Sequence, residues 1–205
     1  MVGIVDYGMG NLLSVANALE LVGATVRVCR NADDLIECDR FILPGVGAFG
    51  DGIAGLRRTG MIPALEQHVC NEGRPLLGIC LGMQVLARTS CEGGQHKGLG
   101  WIPAEVVPLK PSDPQLRVPH MGWNDIVIRD AAHLFKGLAQ YPEFYFIHSY
   151  HLKCDSESVV PAECDYGGRF ACAVAKDNIV ATQFHPEKSQ YSGLKVLSNF
   201  LDWRP

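Results

Sequence analysis

The first part of the chain alternates short apolar runs with stretches of helical hydrophobic spacing. Val2–Tyr7 predicts a buried strand. After Asn11 the apolar residues recur every three or four positions up to Gly23, which predicts a helix capped by Asn11 and closed by the glycine. Further strands are predicted at Thr25–Cys29, Arg40–Leu43 and Pro75–Ile79, and further helices at Ala32–Glu37, Met61–Asn71 and Leu81–Arg88. Strands and helices that alternate in this way indicate βαβ units and a parallel sheet.

From Trp101 onward the pattern changes to β segments with few helices. Strands are predicted at Ile102–Val107, Asp125–Ile128, Phe144–His151, Phe170–Ala175 and Ile179–Phe184. Lys176-Asp177-Asn178 predicts a turn between the last two strands, and Ser189 predicts the cap of a final helix reaching Leu201. The predicted fold class is therefore α/β. It has three layers, with a mostly parallel central sheet, flanking helices and an added antiparallel β portion in the C-terminal half.

Length and composition restrict the class of protein further. The 205 residues suit one domain spanning 1–205, and 47% hydrophobic with 20% charged residues favours a folded core over disorder. The net charge of −4 and the scattered basic residues give no indication of binding to nucleic acid or to an anionic membrane. No signal peptide and no apolar stretch of ~20 residues is visible. The eight dispersed cysteines are therefore expected to be reduced thiols in the cytoplasm rather than disulfides.

One cysteine differs from the others in its surroundings. Gly78-Ile79-Cys80-Leu81-Gly82 follows a predicted strand and leads into a predicted helix. This is the cysteine form of the nucleophile elbow, where small neighbours allow a sharp strand-to-helix turn. Unpaired N–H groups at the start of the helix favour a thiolate. On this pentad alone, a structural cysteine in a glycine-flanked turn stays an alternative.

A candidate base and its orienting carboxylate lie far downstream, in Gln183-Phe184-His185-Pro186-Glu187. Pro186 ends the predicted strand and leaves His185 at its terminus, where catalytic groups of α/β sheets gather. Glu187 can turn back to the imidazole. Cys80, His185 and Glu187 would then form a nucleophile, a base and the group that fixes the tautomer of the base. Without the elbow, His-Pro-Glu is more often an ordinary loop.

A glycine-rich segment, Pro44-Gly45-Val46-Gly47-Ala48-Phe49-Gly50, follows the strand predicted at Arg40–Leu43. It lacks the Gly-Lys-Ser/Thr ending of a P-loop, and it is not expected to be the full G-x-G-x-x-G spacing followed by a helix that a dinucleotide-binding motif requires. Its backbone N–H groups are better placed to form an oxyanion hole, with the N–H of Leu81 as the second donor. A plain flexible turn is the alternative.

Together and in this order, these three elements resemble class I (triad-type) glutamine amidotransferases. The resemblance becomes more specific in two segments, Asp6-Tyr7-Gly8-Met9-Gly10-Asn11 and Pro119-His120-Met121-Gly122-Trp123-Asn124. With His148-Ser149-Tyr150, they are similar to the glutaminase subunits of imidazole glycerol phosphate synthase over nearly the whole chain.

The resemblance implies an enzyme that hydrolyses glutamine to glutamate and ammonia, with no cofactor and no metal. It implies the triad of Cys80, His185 and Glu187, and an oxyanion and glutamine site made of Val46, Gly47, Leu81, Gln84, His148, Ser149 and Tyr150. It also implies a heterodimer with a (β/α)₈-barrel cyclase subunit. In that complex the ammonia passes through a channel, and the cyclase makes imidazole glycerol phosphate and the aminoimidazole carboxamide ribonucleotide for histidine biosynthesis. Asn11, Trp123 and Lys188 are then candidates for the subunit interface.

Other functions stay open from the sequence. A glutaminase subunit of anthranilate or aminodeoxychorismate synthase would share the triad, but is not expected to carry the two more specific segments. A cysteine peptidase or γ-glutamyl hydrolase would differ in the bond it cleaves. An interaction module that merely keeps the fold would have an unreactive Cys80.

Overall fold

The computed structural model describes residues 1–130 and 133–205. Its centre is a parallel sheet of five strands: β1 (Val2–Val5), β2 (Val26–Cys29), β3 (Arg40–Leu43), β4 (Leu76–Ile79) and β13 (Ile179–Thr182). Their order is β2-β1-β3-β4-β13, and every neighbouring pair is parallel. The carboxyl ends of β3, β4 and β13 therefore meet at one edge of the sheet, where the predicted glycine-rich loop, nucleophile and base follow them.

Antiparallel strands extend this sheet, as predicted for the C-terminal half. They are β5 (Thr89–Ser90), β6 (His96–Lys97), β7 (Ala104–Pro108), β8 (His120–Ile128), β9 (Glu143–His148), β10 (Tyr150–Cys154), β11 (Ala162–Asp165) and β12 (Arg169–Lys176). From β13 the sheet continues through β12, β10, β7, β5 and β6, and only the β5–β7 pair on this path is parallel. The β8–β9 pair joins it through β11.

Helices cover both faces of the parallel sheet. They are α1 (Leu12–Leu21), α2 (Ala32–Leu35), α3 (Phe49–Thr59), α4 (Ile62–Leu65), α5 (Leu81–Gln84) and α6 (Gln190–Asp202). Successive residues of a strand point to opposite faces: Phe41 joins a core with Leu56 of α3, whereas Ile42 joins another with Leu19 of α1 and Phe200 of α6. Two cores on either side of one sheet confirm the three-layer α/β prediction. Across 1–130 and 133–205, no helix combines the length and apolarity needed to cross a bilayer.

The helix α3 was not predicted, and its glycines explain why. Gly52 and Gly55 lower helix propensity, but both are needed for packing. A Cβ on Gly52 would lie 3.1 Å from the Leu81 side chain, and one on Gly55 would lie 2.5 Å from the Tyr7 carbonyl oxygen. The helix forms because tertiary packing outweighs propensity.

Two predicted helices are wrong in extent. The helix predicted at Leu81–Arg88 is the single turn α5, because a returning segment takes the next carbonyls: those of Val85 and Leu86 accept from the N–H groups of Leu99 and Ile102. The helix predicted at Met61–Asn71 is α4 followed by a π-helical turn, Glu66–Asn71.

Two predicted strands also differ. The strand predicted at Phe144–His151 is divided at Ser149 into β9 and β10, because the chain changes partners there, from β8 to β7 and β12. The strand predicted at Asp125–Ile128 begins earlier, at His120, and so includes most of the Pro119–Asn124 segment.

Candidate active site

Cys80 lies in a strained turn between β4 and α5. Its φ of 53° is in the left-handed region, which non-glycine residues seldom adopt. The flanking glycines are needed because a Cβ on Gly82 would collide with the Leu43 carbonyl oxygen, and one on Gly78 would lie 2.9 Å from the Gly82 carbonyl oxygen. The backbone N–H of Cys80 donates to the Thr182 carbonyl of β13 at 2.8 Å. These contacts give the geometry of a nucleophile elbow.

His185 and Glu187 form a buried pair just beyond β13. The Nδ1 atom of His185 lies 2.8 Å from Oε1 of Glu187, and the two side chains are 2% and 3% exposed. Within the described ranges, Nε2 of His185 has no hydrogen-bond partner. Burial lowers the pKa of His185, but electrostatic attraction to Cys80 and the hydrogen bond to Glu187 outweigh it and raise that pKa to about 9. The imidazole is thus held by Nδ1 and leaves Nε2 for proton transfer.

A serine keeps this histidine in place. The Ser189 hydroxyl donates to the His185 carbonyl at 2.6 Å and accepts from the Tyr145 N–H at 2.9 Å. The His185 N–H donates to the Tyr145 carbonyl at 3.0 Å. Ser189 precedes α6 as predicted, but its side chain does not cap the helix. It joins the base to β9 instead.

Cys80 is 7% exposed and lines a cavity of about 330 Å³. All seven residues predicted for the oxyanion and glutamine site line this cavity: Val46, Gly47, Leu81, Gln84, His148, Ser149 and Tyr150. Their amide, hydroxyl and imidazole groups surround one compact space beside the nucleophile. Its size suits a small polar molecule rather than a polypeptide.

Gln183 and Gln84 connect the nucleophile to the wall of the cavity. Nε2 of Gln183 donates to the Cys80 sulfur at 3.6 Å, and Oε1 of Gln183 accepts from Nε2 of Gln84 at 3.1 Å. The Gln84 amide also donates to the Tyr150 carbonyl at 3.0 Å. The sequence indicated Gln84 through the family resemblance. Gln183 was seen only as part of its pentad, and no pattern along the chain reveals its contact with the sulfur.

The Tyr150 carbonyl is also hydrogen-bonded to one of a pair of buried histidines. Nδ1 of His148 is 2.9 Å from the Tyr150 carbonyl oxygen, and Nε2 of His148 is 3.0 Å from Nδ1 of His120. Burial lowers the pKa of His148 to about 3 and that of His120 to about 4. Both rings therefore stay neutral at physiological pH, and Tyr150 remains hydrogen-bonded from two sides.

The glycine-rich loop lies against the elbow, but its Gly45 carbonyl already accepts a hydrogen bond from one of the predicted oxyanion donors. The N–H of Leu81 donates to the Gly45 carbonyl oxygen at 3.3 Å. Gly47 has a φ of 102°, which only glycine adopts readily. In this conformation the Leu81 N–H is not free to bind an oxyanion.

Glu92 is a cavity residue that the sequence analysis missed. It lies in a turn between β5 and β6, and its carboxylate accepts from the Phe49 N–H at the start of α3 at 2.7 Å. The expectation that the glycine-rich segment lacks a G-x-G-x-x-G spacing followed by a helix was wrong, because Gly45, Gly47 and Gly50 have this spacing and α3 follows. The start of that helix is nevertheless not an open anion site, because Glu92 already places a negative charge there. A cavity carboxylate instead suits a ligand with an amino group.

The three interface candidates have different surroundings. Asn11 is exposed and caps α1, since its side chain accepts from the Ser14 N–H at 3.2 Å. Trp123 is 47% exposed on β8, beside the 59% exposed Met121. Lys188 lines the cavity, and its Nζ lies 5.8 Å from the centre of the Tyr145 ring. Asn11 thus has a structural role of its own, whereas Trp123 leaves an apolar surface uncovered.

Comparisons with known proteins show the family to which the chain belongs. The sequence profile of the family "Glutamine amidotransferase class-I" matches residues 3–203, and the chain belongs to that class of enzymes. Its fold is also similar to the solved structure of PurLQS from Thermotoga maritima, with a TM-score of 0.74 at 18% identity over 98% of this chain and 97% of that one. This structural likeness supports the fold alone.

Within the class, the chain belongs to the family of the imidazole glycerol phosphate synthase subunit HisH. It is 49% identical over 208 residues to that subunit of Zymomonas mobilis, covering 100% of this chain and 96% of the relative. It is 48% identical over 207 residues to that of Syntrophotalea carbinolica, covering 98% and 100%. The resemblance inferred from the sequence motifs is confirmed.

Proposed function

We propose that the chain hydrolyses glutamine and supplies the ammonia to a (β/α)₈-barrel cyclase subunit. The observation that carries the proposal is the arrangement of Cys80 at the cavity with the buried His185–Glu187 pair behind it. This arrangement supplies a nucleophile, a proton carrier and a fixed tautomer for acyl transfer from an amide.

The reaction proceeds in two halves. The Cys80 thiolate attacks the side-chain amide carbon of glutamine, and the carbonyl electron pair moves to oxygen. His185 gives its Nε2 proton to the leaving nitrogen, so that ammonia departs and a thioester remains. His185 then takes a proton from water, which attacks the thioester and releases glutamate. Once the Gly45 carbonyl has released the Leu81 N–H, this N–H and an N–H of the loop around Val46 and Gly47 stabilise the oxyanion in both halves.

Charge and shape of the cavity support glutamine as the substrate. Glu92 offers a carboxylate to the α-amino group, and Lys188 offers a cation at the same cavity for the α-carboxylate. The neutral His148 and Ser149 line the same cavity without adding charge. We infer that the cavity binds a free amino acid through both its charged groups.

The synthase to which HisH-type relatives belong provides the partner. The proposed heterodimer joins the two subunits at the exposed Trp123 and Met121 of β8, at Asn11 and at the Lys188 side of the cavity. Ammonia would travel to the cyclase by a closed channel, because protonation in water would remove its nucleophilicity. The products are imidazole glycerol phosphate and the aminoimidazole carboxamide ribonucleotide. We further propose that the enzyme works in the cytoplasm, where thiols such as those of Cys29 and Cys38, whose sulfurs lie 3.8 Å apart in hydrogen-bond contact, stay reduced.

The Cys80→Ala variant tests this function. It is expected to lose glutamine hydrolysis, while the cyclase in complex with it still works on added ammonium salts. The matched control is Cys70→Ala, which removes an exposed thiol away from the cavity and should keep full activity. Glutamate release is measured in both variants, with peptides and γ-glutamyl conjugates as competing substrates. Glutamine hydrolysis by a clean Cys80→Ala preparation would refute the assignment.

Identifying the protein that co-purifies with the chain from its own cells tests the partner. A cyclase subunit is expected. Recovery of an anthranilate or aminodeoxychorismate synthase subunit instead would favour the other amidotransferase assignment.

A further inference from the structure

Tyr7 carries a buried hydroxyl without a partner. The residue follows β1 and is 1% exposed, and its hydroxyl makes no hydrogen bond to any residue in 1–130 or 133–205. Buried hydroxyl groups are nearly always hydrogen-bonded, so an unpaired one in a packed core needs an explanation. The proposed reaction steps above give Tyr7 no role.

The hydroxyl lies against the glycine-rich loop. A Cβ on Gly45 would collide with the Tyr7 oxygen, so the oxygen is in contact with the Cα of Gly45. Gly55 of α3 also packs against the ring, since a Cβ there would lie 3.2 Å from Cδ2 of Tyr7. Burial, and after it the charge of Cys80, raise the pKa of Tyr7 well above its ordinary value. The group is thus a fixed, neutral donor beside one peptide of the loop.

The loop must rearrange before it can stabilise an oxyanion. The Leu81 N–H now donates to the Gly45 carbonyl oxygen at 3.3 Å. An oxyanion can take that N–H only if the Gly45 carbonyl moves away. Rotation of the peptide between Gly45 and Val46 does this, and it also turns the Val46 N–H toward the side that the carbonyl leaves. The absence of a Cβ at Gly45 removes the main steric barrier to this rotation.

The displaced carbonyl oxygen then needs a donor. It stays within about 2.4 Å of the Gly45 Cα, as bond lengths and angles require. The Tyr7 oxygen touches that same Cα. We propose that the Tyr7 hydroxyl is this donor, and that it donates a hydrogen bond to the Gly45 carbonyl oxygen once the peptide has rotated. Tyr7 is then a positioning residue that stabilises the open oxyanion hole, and the inference rests on the proposed function.

Tyr7→Phe tests the proposal on the free chain, because it removes the hydroxyl and keeps the ring. The probe is 5-oxopentanoate, the aldehyde analogue of glutamine without the α-amino group, because an α-amine would condense with the aldehyde to a cyclic imine. Its aldehyde carbon bonds to the Cys80 sulfur. The carbonyl π pair moves to oxygen and the thiol proton passes to His185, so the adduct carries an oxyanion and needs no leaving group. Glutamate is the comparison ligand, because it fills the same cavity without forming an oxyanion.

The dissociation constant of the aldehyde is expected to rise about 3- to 10-fold in Tyr7→Phe, the range that one neutral hydrogen bond contributes. The constant for glutamate should stay the same. Thermal stability should not fall, since the variant removes an unpaired buried donor, whereas a hydroxyl with an ordinary structural role would lower the melting temperature when lost. Tyr141→Phe, at a 58% exposed position outside the cavity, is the matched hydroxyl deletion and should change none of these values.

The outcomes separate the two proposals. Equal aldehyde binding by the wild type and Tyr7→Phe, with Cys80→Ala binding much weaker, overturns the role of Tyr7 and leaves the triad intact. Aldehyde binding that does not depend on Cys80 overturns the proposed function itself. If Tyr7→Phe weakens the binding of the aldehyde and of glutamate equally, the role of Tyr7 is also overturned, because the hydroxyl would then shape the cavity before any oxyanion forms.

Discussion

At the residue scale, the base is defined by what holds each of its two nitrogens. Nδ1 of His185 is bonded to Glu187 in a pocket closed to water, and Nε2 is left without a partner among the described residues. A carboxylate at this place has two effects: it fixes the tautomer, and it stabilises the imidazolium that forms when His185 accepts a proton. These effects can be separated by substitution.

Glu187→Gln is expected to slow glutamine hydrolysis less than His185→Ala. The amide can still orient the imidazole but cannot stabilise its charged form, whereas removal of the imidazole abolishes proton transfer, at a cost of about 10²–10⁴ in rate. The double variant should be close to His185→Ala alone, because triad members act as a unit. Single-turnover rates of all three variants give the comparison. Wild-type activity in Glu187→Gln would mean that another carboxylate orients His185.

The raised pKa of His185 also predicts a pH dependence of stability. The folded value of about 9 lies above the unfolded value of ~6.5, so the native state binds this proton more tightly. The resulting stabilisation is complete below about pH 6.5 and is lost as the pH rises through about 9. Glu187→Gln removes one of the groups that hold the proton. The difference in free energy of unfolding between wild type and Glu187→Gln should therefore be largest near pH 6 and shrink by about 1 kcal/mol or more toward pH 10.

Urea unfolding across this pH range measures that difference. The control is Glu157→Gln, which removes an 87% exposed carboxylate paired with Arg129 and should give a difference that changes little with pH. If the difference in free energy of unfolding between wild type and Glu187→Gln also changed little with pH, it would contradict a raised pKa of His185.

At the scale of elements, local chemistry made some features predictable and long-range contacts concealed others. The turn around Cys80 was predictable because its glycines are adjacent in sequence and the strain is local. The helix α3 was not, because its glycines are explained only by Leu81 and Tyr7, which approach from other parts of the chain. Gln183 and Glu92 were missed for the same reason. Each acts through a contact with a residue distant in sequence.

Gly55→Ala tests that account of α3. Helix propensity alone predicts a gain of ~1 kcal/mol in an exposed helix. We expect a loss of about 1–3 kcal/mol instead, because the new methyl group would lie 2.5 Å from the Tyr7 carbonyl oxygen. Ala54→Gly, at the neighbouring exposed position of the same helix, should cost about 1 kcal/mol by propensity. Chemical denaturation measures the change in free energy of unfolding for both variants. A Gly55→Ala variant more stable than the wild type would show that α3 can shift to accommodate the methyl group.

At the scale of the whole molecule, the site is assembled but one oxyanion donor is occupied. The Leu81 N–H donates to the Gly45 carbonyl, while His185 and Glu187 are already hydrogen-bonded to each other. The loop carrying Gly45 leads to Val46, which is 41% exposed at the mouth of the cavity. The loop is therefore accessible to a bound partner. Hydrolysis without an acceptor would waste glutamine, and an occupied donor provides a means to prevent it.

We therefore predict that the isolated chain hydrolyses glutamine very slowly. The cyclase subunit alone should raise the rate modestly, and the cyclase with its substrate bound should raise it by at least ~10²-fold, since one oxyanion donor contributes ~10²–10³ in turnover. The change should appear chiefly in kcat, because the donor acts on the transition state rather than on bound glutamine. Glutamate release is compared for the free chain, the complex and the complex with the cyclase substrate. Full activity in the free chain would refute control through the loop while leaving the triad in place. Activation that appears only in KM would instead point to a change in glutamine binding, with the oxyanion hole already formed.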